Sequence, residues 1–234
     1  LIDVMGKEMI RWATENMTPT RYVNYRFIFV VRSEHLQEYP DLREKLVEAT
    51  GRSAGGTTII EVSETTEGAA CTALLAEELI DGEDDALLMG NSDQFIEWGK
   101  DATVDDFIDC TMDGDTDGCW ATFLDEGRDP KFSYIALEDG VAVKFAEKEG
   151  ISNFASTGLY LWRRGVDFIE SAKSMIEKND RVNGEFYVAP TFSEMIAGGG
   201  DKRVKSWLVG KMWNLGDPES LDTFLQNYEA TIQI

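Results

Sequence analysis

The stretch "TTIIEVSETTEGAACTALLAEELIDGEDDALLMGNSDQF", residues 57–95, decides how this chain folds. "TTIIEV" (57–62) is a short β-branched run and reads as a strand. "EGAACTALLAEELI" (67–80) is rich in Ala and Leu at its start and reads as a closely packed helix. "DALLMG" (85–90) is again a short apolar run, a second buried strand. Upstream, "YRFIFVV" (25–31) is a continuous apolar strand. Strand, helix, strand, helix, strand in this order predicts a parallel sheet with helices on its faces. Ligands of such sheets bind outside the carboxyl ends of the strands. The loops after Val31, Val62 and Gly90 are therefore expected to line the site.

The flanking regions extend the pattern. "LIDVMGKEMI" (1–10) opens on a strand-like run, turns at Gly6-Lys7 and enters a helix over 7–17. Met9, Ile10, Ala13 and Met17 share one face of that helix. "SEHLQEYPDLREKLVEAT" (33–50) is helical, with Pro40 dividing it or starting a second helix. After residue 100 the strands read 118–124, then 132–148 as two strands around the Asp139-Gly140 turn, then 157–165 and 202–209. Helices are expected over 165–179, within 184–199 and over 217–228, the last with Pro218 and Glu219 in its first turn. A single domain over 1–234 is expected, with the second half of the sheet mixed in direction.

The totals bound the function. Of 234 residues, 22 are Lys or Arg and 44 are Asp or Glu, for a net charge of −22. Phosphate-backbone contacts need a basic face, so nucleic acid is not an expected partner. An anionic membrane surface is disfavoured for the same reason, and no apolar run is long enough to span a bilayer. The apolar fraction of 43% supports a sizeable core. Cys71, Cys110 and Cys119 are odd in number and form no C-x-x-C pair, which fits a reducing, cytoplasmic setting. With His35 as the single histidine, a zinc site is not expected.

Five short segments carry candidate chemistry. "LLMGNSDQF" (87–95) ends a buried strand and presents Asn91, Ser92 and Asp93. A carboxylate there suits magnesium, which takes one or two carboxylates and completes its shell with substrate phosphates. The plain alternative is that Ser92 or Asp93 caps a helix beginning at "QFIEW". "FAEKEGIS" (145–152) places Glu147 and Lys148 at a strand end. There Lys148 could meet a phosphate as a point charge and Glu147 could accept from sugar hydroxyls, or the two form an ordinary surface pair. In "ETTEGAAC" (64–71), Gly68 and two alanines open a helix, so a flat base can approach the backbone; close helix–sheet packing explains them equally. "VNGEFYV" (182–188) places Glu185 in a helix first turn, as a cap or turned toward a substrate. "MDGDTDGCW" (112–120) begins like a calcium loop, with Asp113, Asp115, Asp117 and Gly118. Its bidentate-Glu position is Leu124 and a strand follows, so it reads as a polar turn.

In order and spacing these segments resemble the sugar-phosphate nucleotidyltransferases, over nearly all 234 residues. "LIDVMGKEMI" is similar to the segment before the family's first long helix. "TEGAACTALLAEELI" resembles the nucleobase turn and "LLMGNSDQF" the metal-binding strand end. "FAEKEGIS" with "STGLYLWRRG" resembles the sugar-binding strands, "VNGEFYV" the acidic sugar loop and "MWNLGDPESLDTFL" the final metal loop and helix. The resemblance implies a Rossmann-like nucleotide-diphospho-sugar transferase fold, α/β, with a mixed, mostly parallel central sheet and helices on both faces. It implies that a nucleoside triphosphate and a sugar 1-phosphate, or a similar phosphorylated small molecule, give a nucleotide-diphospho-sugar and pyrophosphate. Asp93 would then hold Mg2+, Lys148 the acceptor phosphate and Glu147 its hydroxyls. Gly68 and Ala69 would border the base, Asn91 and Gly158 would lie at the substrate, and Glu185 would reach the sugar. Members of the family often form homo-oligomers.

Two departures accompany the resemblance. The family's second metal-binding Asp falls at about Asn214, a neutral and weaker ligand, with Asp217 nearby in a helix cap. The family's glycine-rich triphosphate loop belongs before Leu1, so the triphosphate half is expected upstream, with low turnover for the chain as given. Two other readings share the fold. A glycosyltransferase usually carries Asp-x-Asp at a strand end, and here that position reads "NSDQ". A non-catalytic nucleotide-sugar binder would account for Asn214.

Overall fold

The computed structural model describes residues 1–51, 56–80, 82 and 85–232, with side chains to residue 228. The chain begins with a hairpin of two short strands, β1 (Asp3–Val4) and β2 (Lys7–Glu8). Met5 and Gly6 both take positive φ in its turn, and Asp3 Oδ1 accepts from Gly6 N. Helix α1 (Met9–Met17) follows and buries Met9, Ile10, Trp12, Ala13 and Thr14.

Strand β3 (Phe27–Arg32) leads to α2 (Ser33–Glu38) and α3 (Leu42–Ala49), and Pro40 stands in the break between the two helices. Strand β4 (Thr57–Val62) pairs with β3 in parallel, Phe27 opposite Thr57 through Arg32 opposite Val62. Ile10, Leu42, Leu46 and Ala49 pack beneath this pair with Phe29, Val31 and Ile59.

The expected long helix over 67–80 is shorter. Helix α4 (Ala69–Leu74) ends after six residues, and a 3-10 turn covers Glu77–Leu79. The tertiary packing accounts for the break. Ile80 is buried where Gly165 leaves room for it, and Arg26 donates to the Leu79 carbonyl, so the chain turns instead of continuing.

Strand β5 (Leu87–Gly90) follows, then β6 (Gln94–Glu97) and α5 (Val104–Asp109). Thr103 and Asp106 close a capping box on α5, which satisfies otherwise orphaned N–H groups. Strands β7 (Gly118–Leu124), β8 (Ser133–Glu138), β9 (Val141–Glu147) and β10 (Phe154–Trp162) complete the middle of the chain. Asp139 and Gly140, both at positive φ, join β8 to β9 as a two-residue hairpin turn. Helices α6 (Gly165–Glu177) and α7 (Ala189–Ala197), strands β11 (Val204–Leu208) and β12 (Lys211–Asn214), and α8 (Pro218–Ile232) finish the fold.

The main sheet has the order β11-β7-β10-β8-β9, and β5 also pairs with β10. Strand β10 runs antiparallel to β5, β7 and β8, while β11 is parallel to β7. Hence β5, β7, β8 and β11 share one direction, and β9, antiparallel to β8, runs with β10. The sheet is mixed, with most of its strands aligned.

Helices cover both faces, and the strand alternation shows how. Trp120, Tyr160 and Trp162 face Phe168, Ala172 and Phe192 of α6 and α7. Their neighbours Cys119, Ala121, Leu159 and Leu161 face the other way, onto Ile96 of β6 and Phe107 of α5. Side chains alternate across a pleated strand, so a sheet apolar on both faces must be covered twice. Beside it, Trp12, Trp213 and Phe224 join α1, β12 and α8 in an aromatic cluster.

Candidate active site

Four of the five candidate segments meet in a continuous run of contacts that also takes in Gly158 of β10 and the segment around Asn214. The run starts at Gly68. Its φ is +136°, and a Cβ there would collide with the backbone of Phe186. Ala70 N donates to the Phe186 carbonyl at 3.0 Å and Phe186 N to the Glu67 carbonyl at 2.9 Å. The turn opening α4 is thus bonded to the loop that carries Glu185, and Arg181 reinforces the junction by pairing with Glu67. Ala69 is exposed at this turn.

Glu185 is not in a helical turn, contrary to the sequence expectation. Asn183 and Gly184 both take positive φ and fold 182–185 into a tight turn bridged between Val182 and Glu185; α7 begins only at Ala189. Asn-Gly forms this turn without strain on the glycine, which is why the chain reverses here instead of coiling.

Tyr187, not anticipated from the sequence, links two of the anticipated residues. Its hydroxyl donates to Glu185 Oε2 at 2.6 Å and receives the Lys148 ammonium at 2.5 Å. The Lys148 Nζ also lies over the Tyr187 ring, 4.5 Å from its centroid. The hydrogen bond to Tyr187 is the main reason the Lys148 ammonium titrates above its ordinary value. Lys148 sits at φ +58° just past the end of β9, and its N–H is anchored on the Phe132 carbonyl at 3.0 Å.

Glu147, the last residue of β9, accepts from Ser133 Oγ on the paired strand β8. Burial pushes its carboxyl above the usual range, against the opposing pull of Ser133 and of the Lys148 charge. Farther along β10, Gly158 takes φ +84° at the register shift between Ser156 and Tyr160. A Cβ at Gly158 would collide with Asn91 and Gln94, so the end of β5 lies directly against it.

Asp93 and Asn214 come together at the far end of the run. Both lie against Gly216, where a Cβ would collide with the Asp93 carboxylate. The pairing of β6 with β12, Gln94 opposite Asn214, and a bond from Leu215 N to the Asp93 carbonyl at 2.8 Å create this juxtaposition. The helix-cap alternative for Ser92 and Asp93 does not hold, because 94–97 is strand β6. Asp217 does cap α8: its Oδ1 accepts from Ser220 N at 2.9 Å, which lowers its carboxyl below the usual range. Asn214 Nδ2 donates to Asp217 Oδ2 at 2.6 Å, and Asn214 Oδ1 accepts from Gly216 N at 3.0 Å.

Among the described residues no group of three or more His, Cys, Asp or Glu side chains is arranged for a metal ion. Asp93, with Asn214 Oδ1 on the same glycine, makes a sparse donor set. It fits magnesium that draws most of its ligands from water and substrate phosphates, not an all-protein cage. The acidic turn at 112–120 is committed elsewhere. Asp117 accepts from Lys202 Nζ at 3.1 Å and Arg203 N at 2.9 Å, and Gly118 begins β7.

Comparison with known proteins gives the family. A family model described as nucleotidyl transferase matches residues 1–230. The chain belongs to the nucleotidyl transferase family. No curated protein matches this nucleotidyl transferase. Solved structures share its fold. The nucleoside-diphosphate-sugar pyrophosphorylase from Vibrio cholerae RC9 is 23% identical, with a TM-score of 0.74 over 96% of this chain and 90% of that one. A UDP-glucose pyrophosphorylase complexed with UDP-glucose is 16% identical, with a TM-score of 0.71 over 98% and 89%. The inositol-1-phosphate CTP transferase from T. maritima is 14% identical, with a TM-score of 0.66 over 99% and 86%.

Proposed function

We propose that this nucleotidyl transferase joins a nucleoside triphosphate to a sugar 1-phosphate, or a similar phosphorylated small molecule, and releases pyrophosphate. The observation that carries this reading is the continuous run from Gly68 through Lys148 and Glu147 to Gly158, Asp93 and Asn214. Read this way, the run offers a backbone turn open to a flat base, a cation, a carboxylate acceptor and a carboxylate able to hold a metal.

In the reaction an acceptor phosphate oxygen attacks the α-phosphorus in line, and the bond to the pyrophosphate oxygen breaks. No residue need form a covalent intermediate, so positioning and charge stabilisation carry the catalysis. Lys148 binds the acceptor phosphate, exchanging its Tyr187 partner for the anion. Glu147 and Glu185 accept from acceptor hydroxyls. Gly68 and Ala69 let the base approach the backbone, and Asn91 and Gly158 shape the floor. Magnesium, held by Asp93 with Asn214 beside it, would supply charge neutralisation between the two anions. Three unpaired cysteines, Cys71, Cys110 and Cys119, agree with a cytoplasmic setting, and no helix among the described residues is long and apolar enough to cross a membrane.

The test uses the full-length gene product with magnesium, each nucleoside triphosphate in turn and a panel of sugar 1-phosphates, following pyrophosphate. Release with one pair is expected, and Asp93→Asn should lower kcat at least about 100-fold with an unchanged circular dichroism spectrum. Absence of pyrophosphate with every pair would overturn the reading.

A further inference from the structure

A buried cluster of hydroxyls lies beneath Glu147. Ser133, Ser156 and Tyr160 are 8%, 4% and 7% exposed, yet each carries a hydroxyl. Ser133 Oγ donates to Glu147 Oε2. The Tyr160 hydroxyl lies beside both Ser133 and Ser156. Ser156 Oγ in turn accepts from Gly158 N at 2.9 Å. The hydroxyls come from β8 and from two positions of β10, with Glu147 on β9. A simple core would place apolar side chains at these positions, because each buried hydroxyl costs free energy unless it is bonded. Here Ser133 is bonded to Glu147 and Ser156 to Gly158, two residues assigned above to the substrate, with the Tyr160 hydroxyl beside both serines.

We propose that Ser133, supported by Tyr160 and Ser156, is the positioning residue for Glu147, fixing one carboxylate oxygen so that the other faces the acceptor hydroxyl. This rests on the acceptor-side reading of Glu147. With Oε2 occupied by Ser133, the carboxylate plane is set and Oε1 is the oxygen left for the substrate. Ser156 holds the peptide N–H of Gly158, so the hydroxyl cluster touches both the carboxylate and the glycine floor. A buried carboxylate held by a hydrogen bond is rigid, and rigidity at a hydroxyl acceptor selects among sugars by hydroxyl position. The titratable groups acting on Glu147 are Lys148, next to it in the chain, and Tyr160 from β10. Helix α7, packed on β9, brings Glu194, which is tied to Lys178 and Ser174.

Three variants test the assignment. Ser133→Ala should raise the KM for the sugar 1-phosphate that reacts fastest in the panel by about tenfold, with kcat changed less than about twofold. Tyr160→Phe should give a smaller rise in the same direction, and Ser133→Thr should restore the wild-type value. A second measurement does not depend on turnover. The Glu147 carboxyl is followed by carbon-13 NMR, its resonance assigned from its loss in Glu147→Gln. Removing a donor to the charged form must move its titration to higher pH in Ser133→Ala. An unchanged Glu147 titration with an unchanged acceptor KM in Ser133→Ala would overturn the positioning role. If Glu147→Gln raises the acceptor KM and Ser133→Ala does not, the positioning role fails while the acceptor reading stands. If Glu147→Gln itself leaves the acceptor KM unchanged, the acceptor reading of Glu147 fails.

Discussion

Glu147 shows at the residue scale how a site residue carries a thermodynamic signature. Its folded carboxyl titrates above the ordinary range because burial penalises the charge. The folded state therefore binds a proton more tightly than the unfolded chain. Stability from this group is present at low pH and is lost as pH rises from the ordinary carboxylate value through the raised one. Glu147→Gln removes that cost, so the variant should melt no lower than wild type at pH 7 while its acceptor KM rises; calorimetry and kinetics read the two effects separately. Asp105 has the opposite sign. Burial alone would raise its carboxyl, but donors from Thr20 N, Arg21 N and the Thr20 hydroxyl outweigh it and hold the group below the usual range. Its contribution is complete above the unfolded value of about 3.9 and is lost as pH falls through the lowered value. Asp105→Ala leaves two backbone N–H groups without their carboxylate and should cost about 3 kcal/mol in urea denaturation at pH 7.

At the element scale, the deciding feature is a pairing between distant short strands. Strands β6 and β12 are four residues each, and their ladder joins Gln94 to Asn214. That ladder presses Gly216 against the Asp93 carboxylate. Gly216→Ala should push the Asp93 side chain aside, since a short side chain yields before backbone does. The expected result is a loss of kcat of about tenfold or more with a circular dichroism spectrum and melting temperature close to wild type. Wild-type kcat would show that the Asp93 position is not critical. Neither strand was expected: "QFIE" offers no strand signal longer than its four residues, and "KMWN" follows another strand after only Val209 and Gly210. The longer elements were legible. Strands β4 and β7 occupy the residues their apolar runs predicted, 57–62 and 118–124.

At the scale of the whole molecule, a net charge of −22 sits on a 26.2 kDa chain. Self-repulsion of this size destabilises the compact state, and salt screens it over about 10 Å at 0.1 M. The melting temperature should rise by several degrees between about 10 mM and 0.5 M sodium chloride. A flat response in calorimetry would show that local pairing, such as Lys202 between Asp117 and Asp167, already offsets the repulsion.

The sequence alone was enough for the class of fold, for the helix and strand order over most of the chain, and for which segments carry candidate chemistry. Those features rest on local periodicity, turn residues and composition, which act between near neighbours. Tertiary structure alone decided that Tyr187 bridges Lys148 and Glu185, that Glu185 lies in a turn and not a helix, and that Ser133, Tyr160 and Ser156 cluster beneath Glu147. It also decided that Asp93 and Asn214, 121 positions apart, meet at one glycine. These contacts depend on strand register and on the crossing of distant segments. A hydroxyl or a carboxamide has no periodicity of its own to announce such a contact, so only the closed sheet brings it into being.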